Sequence, residues 1–214
     1  LPICDLTQQP ATVEQALAGA DVFFASLIFD YDQVLWLRER VQGIPIRLVF
    51  ESALELMALT QIGQFSIGDK PKGMPKPVQF ILSKFGGNQR EEDKLAGYLS
   101  FLKIGPKLLK FIPVGKVQDL RNWLIIYGYW NAGGLENVAT MFGVIAEKYL
   151  KLQPGTLAPV VETPNMGLLH PEAQGYFTTP RPYLEWYINT YKPEAQHWPR
   201  VALLLYRKHV ITQL

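Results

Sequence analysis

Three histidines, one cysteine and a dense group of aromatic residues have the widest chemical scope in this sequence. His170, in Leu-Leu-His-Pro-Glu, has Glu172 beside it, and an imidazole near a carboxylate can ligate a metal or move a proton. A loop histidine satisfied by its own neighbours explains the same pattern, because no second ligand stands at metal-binding spacing. His197 precedes Trp198 and reads as a surface or packing residue. His209 lies in Tyr206-Arg-Lys-His-Val-Ile-Thr212, just past an apolar run that reads as a buried strand. Open α/β sheets place ligand sites at that end of a strand, which makes Arg207, His209 and Thr212 candidate site residues. Cys4 has no histidine close to it in sequence, which argues against a nucleophile, and a single cysteine permits no intramolecular disulfide.

The aromatic group is Trp123, Tyr127, Tyr129 and Trp130. Four large rings so close together on a helix cover more than one of its faces. One face must be core. The remainder, with Trp123, Tyr127 and Trp130 as candidates, could meet a flat hydrophobic ligand or another domain. No G-x-x-x-x-G-K-[ST] loop is present, so ATP hydrolysis by a P-loop is excluded, and no G-x-G-x-x-G follows a strand. A formal net charge of +2 and the lack of a basic stripe interleaved with aromatics argue against nucleic acid. Lys70, Lys72 and Lys76 fall in a Pro/Gly-rich stretch that reads as a solvated loop, although they could also face an acidic partner.

The elements that must position these residues change character along the chain. Thr12 and Gln15 form a capping-box pattern for a helix over 13–20. The run 21–29 is almost continuously apolar, as in a strand covered on both faces. Asp32 can cap a following helix that Gly43 and Pro45 stop. Ile46 to Phe50 reads as a second buried strand, and Ser52 can cap a helix with Leu54, Leu56, Met57 and Leu59. Strand and helix alternating in this way predict part of a parallel α/β layer. From 95 to 152 the period is helical, with breaks at Gly105-Pro106, Pro113 to Gly115 and Gly133-Gly134, which predicts a helical bundle. The chain is then irregular to about Pro182, and Tyr183 to Tyr191 reads as a short aromatic helix. The expected organisation is a partial α/β domain over 1–62, a flexible loop and linker over 63–93, a helical bundle over 94–152, and over 153–214 an irregular segment, a short helix and the first strand of a further α/β domain. The fold class is α/β, a partial parallel-sheet, Rossmann-like domain followed by a mostly helical one. No apolar run is long enough for a membrane span. The opening Leu-Pro-Ile-Cys has no initiator Met or signal-peptide pattern, which leads to the expectation that the sequence is a piece of something larger.

The stretch Lys107-Leu-Leu-Lys-Phe-Ile-Pro-Val-Gly-Lys-Val-Gln-Asp-Leu-Arg121, followed by Tyr129-Trp-Asn-Ala-Gly-Gly-Leu-Glu-Asn137, resembles the large subunit of magnesium chelatase. That family shows P-K-x-L-K-[FY]-[IL]-P…Q-D-x-R and then Y-W-x-x-G-x-x-E-N. Ala20 to Phe29 resembles its N-terminal sheet strand, Gly63-Gln-Phe-Ser-Ile67 its G-x-F-x-M element, and Tyr206 to Thr212 the opening of a domain shared with the cobalt chelatase large subunit. The blocks occur in order over nearly the whole chain. The sequence departs from the family at Glu51 to Leu59, where Pro-Ser-Met-Pro-x-Val-Met-Arg-Leu is usual, at Ile67, where Met is usual, and at Asn131, where Leu is usual.

The resemblance implies that the intact subunit binds protoporphyrin IX and hosts Mg²⁺ insertion. ATP would be used by an AAA+ partner subunit, and a second partner subunit would complete the complex. This chain would be the head region and neck, holding no cofactor and no metal of its own and touching the remaining domains of the same subunit. It would work in a bacterial cytoplasm or a plastid stroma. No catalytic residue carries over to these positions. Two alternatives stay open: a cobalt chelatase large subunit of the cobalamin pathway, and a non-catalytic tetrapyrrole-sensing or interaction module.

Overall fold

The computed structural model describes residues 9–67, 104–162, 166–199 and 201. The chain forms two compact units, Leu1–Tyr127 and Gly128–Leu214.

In the first unit the alternating pattern produces helix α1 (Pro10–Leu17), strand β1 (Val22–Ser26), helix α2 (Tyr31–Arg40), strand β2 (Ile46–Phe50), a single turn α3 (Leu54–Met57) and the short strands β3 (Gln61–Ile62) and β4 (Phe65–Ser66). A helical segment at 104–109 precedes helix α4, Gly115–Ala132. The sheet order is β1-β2-β3-β4. β1 and β2 run parallel with Val22 opposite Ile46 and Ser26 opposite Phe50, whereas β3 and β4 join antiparallel. The expected parallel layer is therefore a parallel pair extended by a hairpin into a mixed sheet.

Both faces of β1 and β2 are covered, which is why their sequences read as continuous apolar runs. Phe23, Ala25 and Val49 pack on one face with Val34, Leu37, Val41, Ile44 and Leu56. On the other face Phe24 meets Phe50, and Phe50 meets Trp123 and Tyr127 of α4 at ring-centroid distances of 6.4 and 4.9 Å. Arg47 is the one charged residue of β2, and it spends its donors on the carbonyls of Gln42, Ile44 and Leu59 and on Gln61 Oε1. Burial lowers its pKa from the ordinary arginine value, and the four acceptors offset that desolvation. Thr60, fully buried, exchanges both backbone bonds of Val49 through its hydroxyl, accepting from the amide and donating to the carbonyl at 3.3 Å each.

Several local expectations change in detail. The first helix begins at Pro10 with Gln9 at its N-cap and no side-chain cap bond, so Thr12 and Gln15 lie inside it. A proline pre-set for the first helical position wins over the capping box. The first strand is five residues, not nine, because the chain turns at Leu27, whose φ is +61°. The cap of α2 is Asp30, whose Oδ1 accepts from the Gln33 amide at 3.0 Å, and Asp32 sits in the first turn. Ser52 does not cap α3. Its hydroxyl donates to Phe50 O and accepts from the Ile28 amide, tying the two loops that leave β1 and β2. Gly63, where the expected loop and linker over 63–93 begins, lies in the turn of the β3–β4 hairpin, and residues 68–93 of that segment lie outside the described residues.

In the second unit helix α5 spans Leu135–Tyr149 after Gly133 and Gly134, both at positive φ. Residues 151–162 follow as an extended strap without regular structure. Strands β5 (Leu168–Leu169) and β6 (Tyr176–Phe177) pair antiparallel. Helix α6 (Pro180–Trp186) then continues through a π turn, Tyr187–Tyr191, into a 3₁₀ turn, Pro193–His197. The aromatic helix read over 183–191 is thus a composite element. Cys4, the lysines at 70, 72 and 76, the start of the predicted bundle at 95–103, and the predicted strand at 200–206 apart from Val201 lie outside the described residues, as do Arg207, His209 and Thr212.

Candidate functional site

The polar side chains of the motif blocks hold backbone. In the first unit Gln118 of α4 donates through Nε2 to the carbonyls of Leu109 and Ile112, at 2.9 and 2.6 Å. Two residues of the preceding turn are thereby closed by one side-chain amide. Arg121 Nε donates to Pro106 O at 2.9 Å. Asp119 between them accepts from the Gln64 amide at 2.7 Å, in the tip of the β3–β4 hairpin. Gly63 stands at φ +54°, and a Cβ there would come within 2.4 Å of the Asp119 carboxylate, so a larger residue would be strained in the backbone and would have to displace that carboxylate from its bond to Gln64. The two blocks Gly63 to Ile67 and Lys107 to Arg121, separate in sequence, form one corner of the fold.

The second block does the same in the second unit. Tyr129 Oη donates to Ala158 O at 2.6 Å. Asn137, buried on α5, donates through Nδ2 to Gly133 O at 2.6 Å and to Val161 O at 2.9 Å, and its Oδ1 accepts from the Val161 amide at 2.9 Å. That pair of bonds copies a β-bridge with a side chain in place of a strand. Between them Gly143 provides a notch: a Cβ there would stand 2.7 Å from Leu157 Cδ2. Burial raises the Tyr129 pKa above its ordinary 10.0, which keeps the hydroxyl a donor through the neutral range.

The candidate aromatic residues are distributed as follows. Trp123 and Tyr127 of α4 stack on each other at 5.6 Å and 17°, and both pack against Phe50, with Phe65 also on Trp123. Tyr127 is buried and Trp123 half-buried. Trp123 Nε1 is buried with no hydrogen-bond acceptor, and so is the hydroxyl of Ser26, which lies opposite Phe50 on β1. Trp130 is half-buried in the second unit. Sequence reasoning missed a different group. His170, directly after β5, has Tyr191, Trp186, Tyr187 and Tyr183 around it at ring-centroid distances of 4.6, 5.2, 5.5 and 6.4 Å. The available signal was the spacing Tyr183, Tyr187, Tyr191, a single stripe at four-residue intervals.

Among the described residues no group of three or more His, Cys, Asp or Glu side chains is placed to hold a metal ion, and no helix is long and apolar enough to cross a membrane.

The comparisons with known proteins divide the chain where the structure does. Residues 3–124 match the family described as Domain of unknown function (DUF3479), and residues 127–214 match CobN/Magnesium Chelatase. The magnesium-chelatase H subunit of Chlorobaculum parvum is 34% identical over 98% of this chain. The chloroplastic magnesium-chelatase ChlH of Oryza sativa subsp. indica is 30% identical over 92% of it, and the magnesium-chelatase H subunit of Rhodobacter capsulatus is 27% identical over 79%. The chain spans only 16, 15 and 14% of the length of these three relatives. It is therefore a member of the DUF3479 family whose residues 127–214 match the CobN/Magnesium Chelatase model, and it is similar over nearly its whole length to part of magnesium-chelatase H subunits.

Proposed function

We propose that this chain is the head and neck of a porphyrin-handling chelatase subunit and that it contributes architecture to Mg²⁺ insertion rather than the insertion step. The observation that carries this reading is the use made of the motif side chains. Gln118, Asp119, Arg121, Tyr129 and Asn137 all spend hydrogen bonds on backbone groups of their own unit. Residues with such internal partners set the shape of a scaffold. In the intact subunit protoporphyrin IX is the substrate, Mg²⁺ the inserted ion, and ATP is used by an AAA+ partner acting with a second partner subunit. The relatives are bacterial and chloroplastic, which suits a cytoplasmic or stromal setting. The half-buried faces of Trp123 and Trp130, and the segment holding Arg207, His209 and Thr212, remain the proposed contact points for porphyrin or for later domains of the subunit.

The test is a titration of this chain with deuteroporphyrin IX, read by quenching of its five tryptophans, in parallel with a corrinoid. No saturable quenching by either compound, with full rescue of chelatase assembly when the chain is joined to the rest of the subunit, is the expected outcome for a scaffold. Saturable micromolar quenching by porphyrin would make the head a binding surface, and preference for the corrinoid would move the protein to cobalt chemistry.

A further inference from the structure

Part of the aromatic group around His170 lines a half-open surface cleft of about 280 Å³. His170, Tyr183, Tyr187, Ile188 and Trp198 form much of its wall. That volume lies just below the usual range of small-molecule sites, large enough for one or two fused rings and too small for a tetrapyrrole macrocycle. Apolar walls with a few converging polar groups are the usual composition of such sites.

The polar groups have a definite sense. His170 Nδ1 accepts a hydrogen bond from the Glu172 amide at 3.2 Å. A nitrogen that accepts carries no proton, so in the neutral ring the proton sits on Nε2. The imidazole therefore presents an N–H donor, and its lone pair is already engaged. This argues against a metal at His170 and in favour of a ligand with an acceptor oxygen. Lys192 is not part of the wall but brings a positive charge to its border: its Nζ lies 5.7 Å from the ring centre of Trp198, a wall residue, and 5.9 Å from that of Tyr191. Burial, with Tyr187 nearby, raises the pKa of Tyr183, so its hydroxyl also remains a neutral donor. The group is built by continuous backbone. The Lys192 amide closes the π turn onto Tyr187 O at 2.6 Å, and π turns are frequent where a helix is bent to serve a site.

We propose that the His170 cleft binds a small planar aromatic carboxylate, the ring lying against Tyr187 and Trp198 and the carboxylate accepting from His170 Nε2–H beside the Lys192 ammonium. The site lies wholly in the second unit and does not depend on the scaffold reading.

The experiment is ligand-observed saturation-transfer NMR on the full chain with indole-3-carboxylate and, separately, indole. Saturable binding of the carboxylate, with indole at least about fivefold weaker, is expected, since a charge-assisted hydrogen bond is lost with the carboxylate. His170→Phe keeps a ring in the cluster and removes the donor, and should weaken the carboxylate about tenfold while leaving indole nearly unchanged. Leu184→Trp, which fills the cleft from its own wall, should abolish both signals. Circular dichroism identifies any variant that has lost its fold. No saturable transfer from either compound in the parent chain would overturn the proposal. So would equal binding of the carboxylate by the parent chain and a folded His170→Phe.

Discussion

The two units solve the same backbone problem by different means. In the first, the amides and carbonyls of β1 and β2 pair along a five-residue ladder, and side chains such as Thr60 complete it only at the edge. In the second, the strap over 151–162 pairs with no strand among the described residues, and Tyr129 and Asn137 supply from helices what a neighbouring strand would have given. Where a sheet exists, burial of large apolar side chains carries stability. Where it does not, a few side-chain-to-backbone hydrogen bonds must carry it, and each one matters more.

The comparison breaks most sharply at Phe50, whose side chain is 1% exposed and touches Phe24, Trp123 and Tyr127. Phe50→Ala should destabilise the first unit by about 3–5 kcal/mol, the range for removing a fully buried aromatic ring. Chemical denaturation followed by tryptophan fluorescence measures it, because Trp36 and Trp123 report on this unit. A loss below about 1 kcal/mol would mean that the ring contacts are not the core of this face.

In the second unit the counterpart is Asn137→Ala. It removes three hydrogen bonds and leaves the Val161 amide and carbonyl without their bridge, for an expected loss of about 2–3 kcal/mol. Hydrogen exchange should show faster exchange at Val161, with β1 and β2 unchanged. Protection retained at Val161 would show that the strap is held by packing alone. Tyr129 tests the same clasp by pH. Its folded pKa is raised above the ordinary 10.0, so its contribution is complete below about pH 10 and is lost as pH rises through the higher folded value. Tyr129→Phe should remove about 1 kcal/mol at neutral pH and flatten the alkaline decline.

The difference between the units also explains what could be read from the sequence. The strands Val22–Ser26 and Ile46–Phe50 and the helices Gly115–Ala132 and Leu135–Tyr149 were legible because burial on one or two faces imposes a period. Their caps were less legible. Asp30, Asp32, Ser52 and Thr12 all carry suitable oxygens; the local Pro10 displaced the Thr12 cap, Asp30 made the local cap of α2, and a tertiary contact drew Ser52 to Ile28 rather than to its own helix. Motif blocks located the residues that matter without showing their role, because a hydrogen bond from Gln64 to Asp119 spans 55 positions. The His170 cluster was hidden for a similar reason: the histidine comes from a hairpin and its rings from a helix more than ten residues later.

A smaller effect with the opposite sign sharpens the contrast inside the first unit. The Ser26 hydroxyl is buried without a partner beside the aromatic face. Ser26→Ala removes a polar group that gains nothing from burial and should stabilise the protein by about 1 kcal/mol. Thermal unfolding decides it. A loss of similar size would mean that the hydroxyl has a partner, such as a bound water, in solution.

The smallest change is at the point where helix gives way to strap. Lys151, just past the C-cap Leu150 of α5, is exposed and adopts φ +57°, and the next amide, Leu152, returns to Ala146 O at 3.0 Å. Glycine is the usual residue at such a position because the left-handed region costs it nothing. Lys151→Gly should therefore stabilise by up to about 1 kcal/mol, reduced by the extra freedom glycine brings to the unfolded chain and by the loss of a cation near the helix C-terminus. If the strap owes its path to Asn137 and Tyr129, the substitution should leave hydrogen exchange at Val161 unchanged. Altered protection there would show instead that the left-handed lysine aims the strap, and that the clasp only records where it lands.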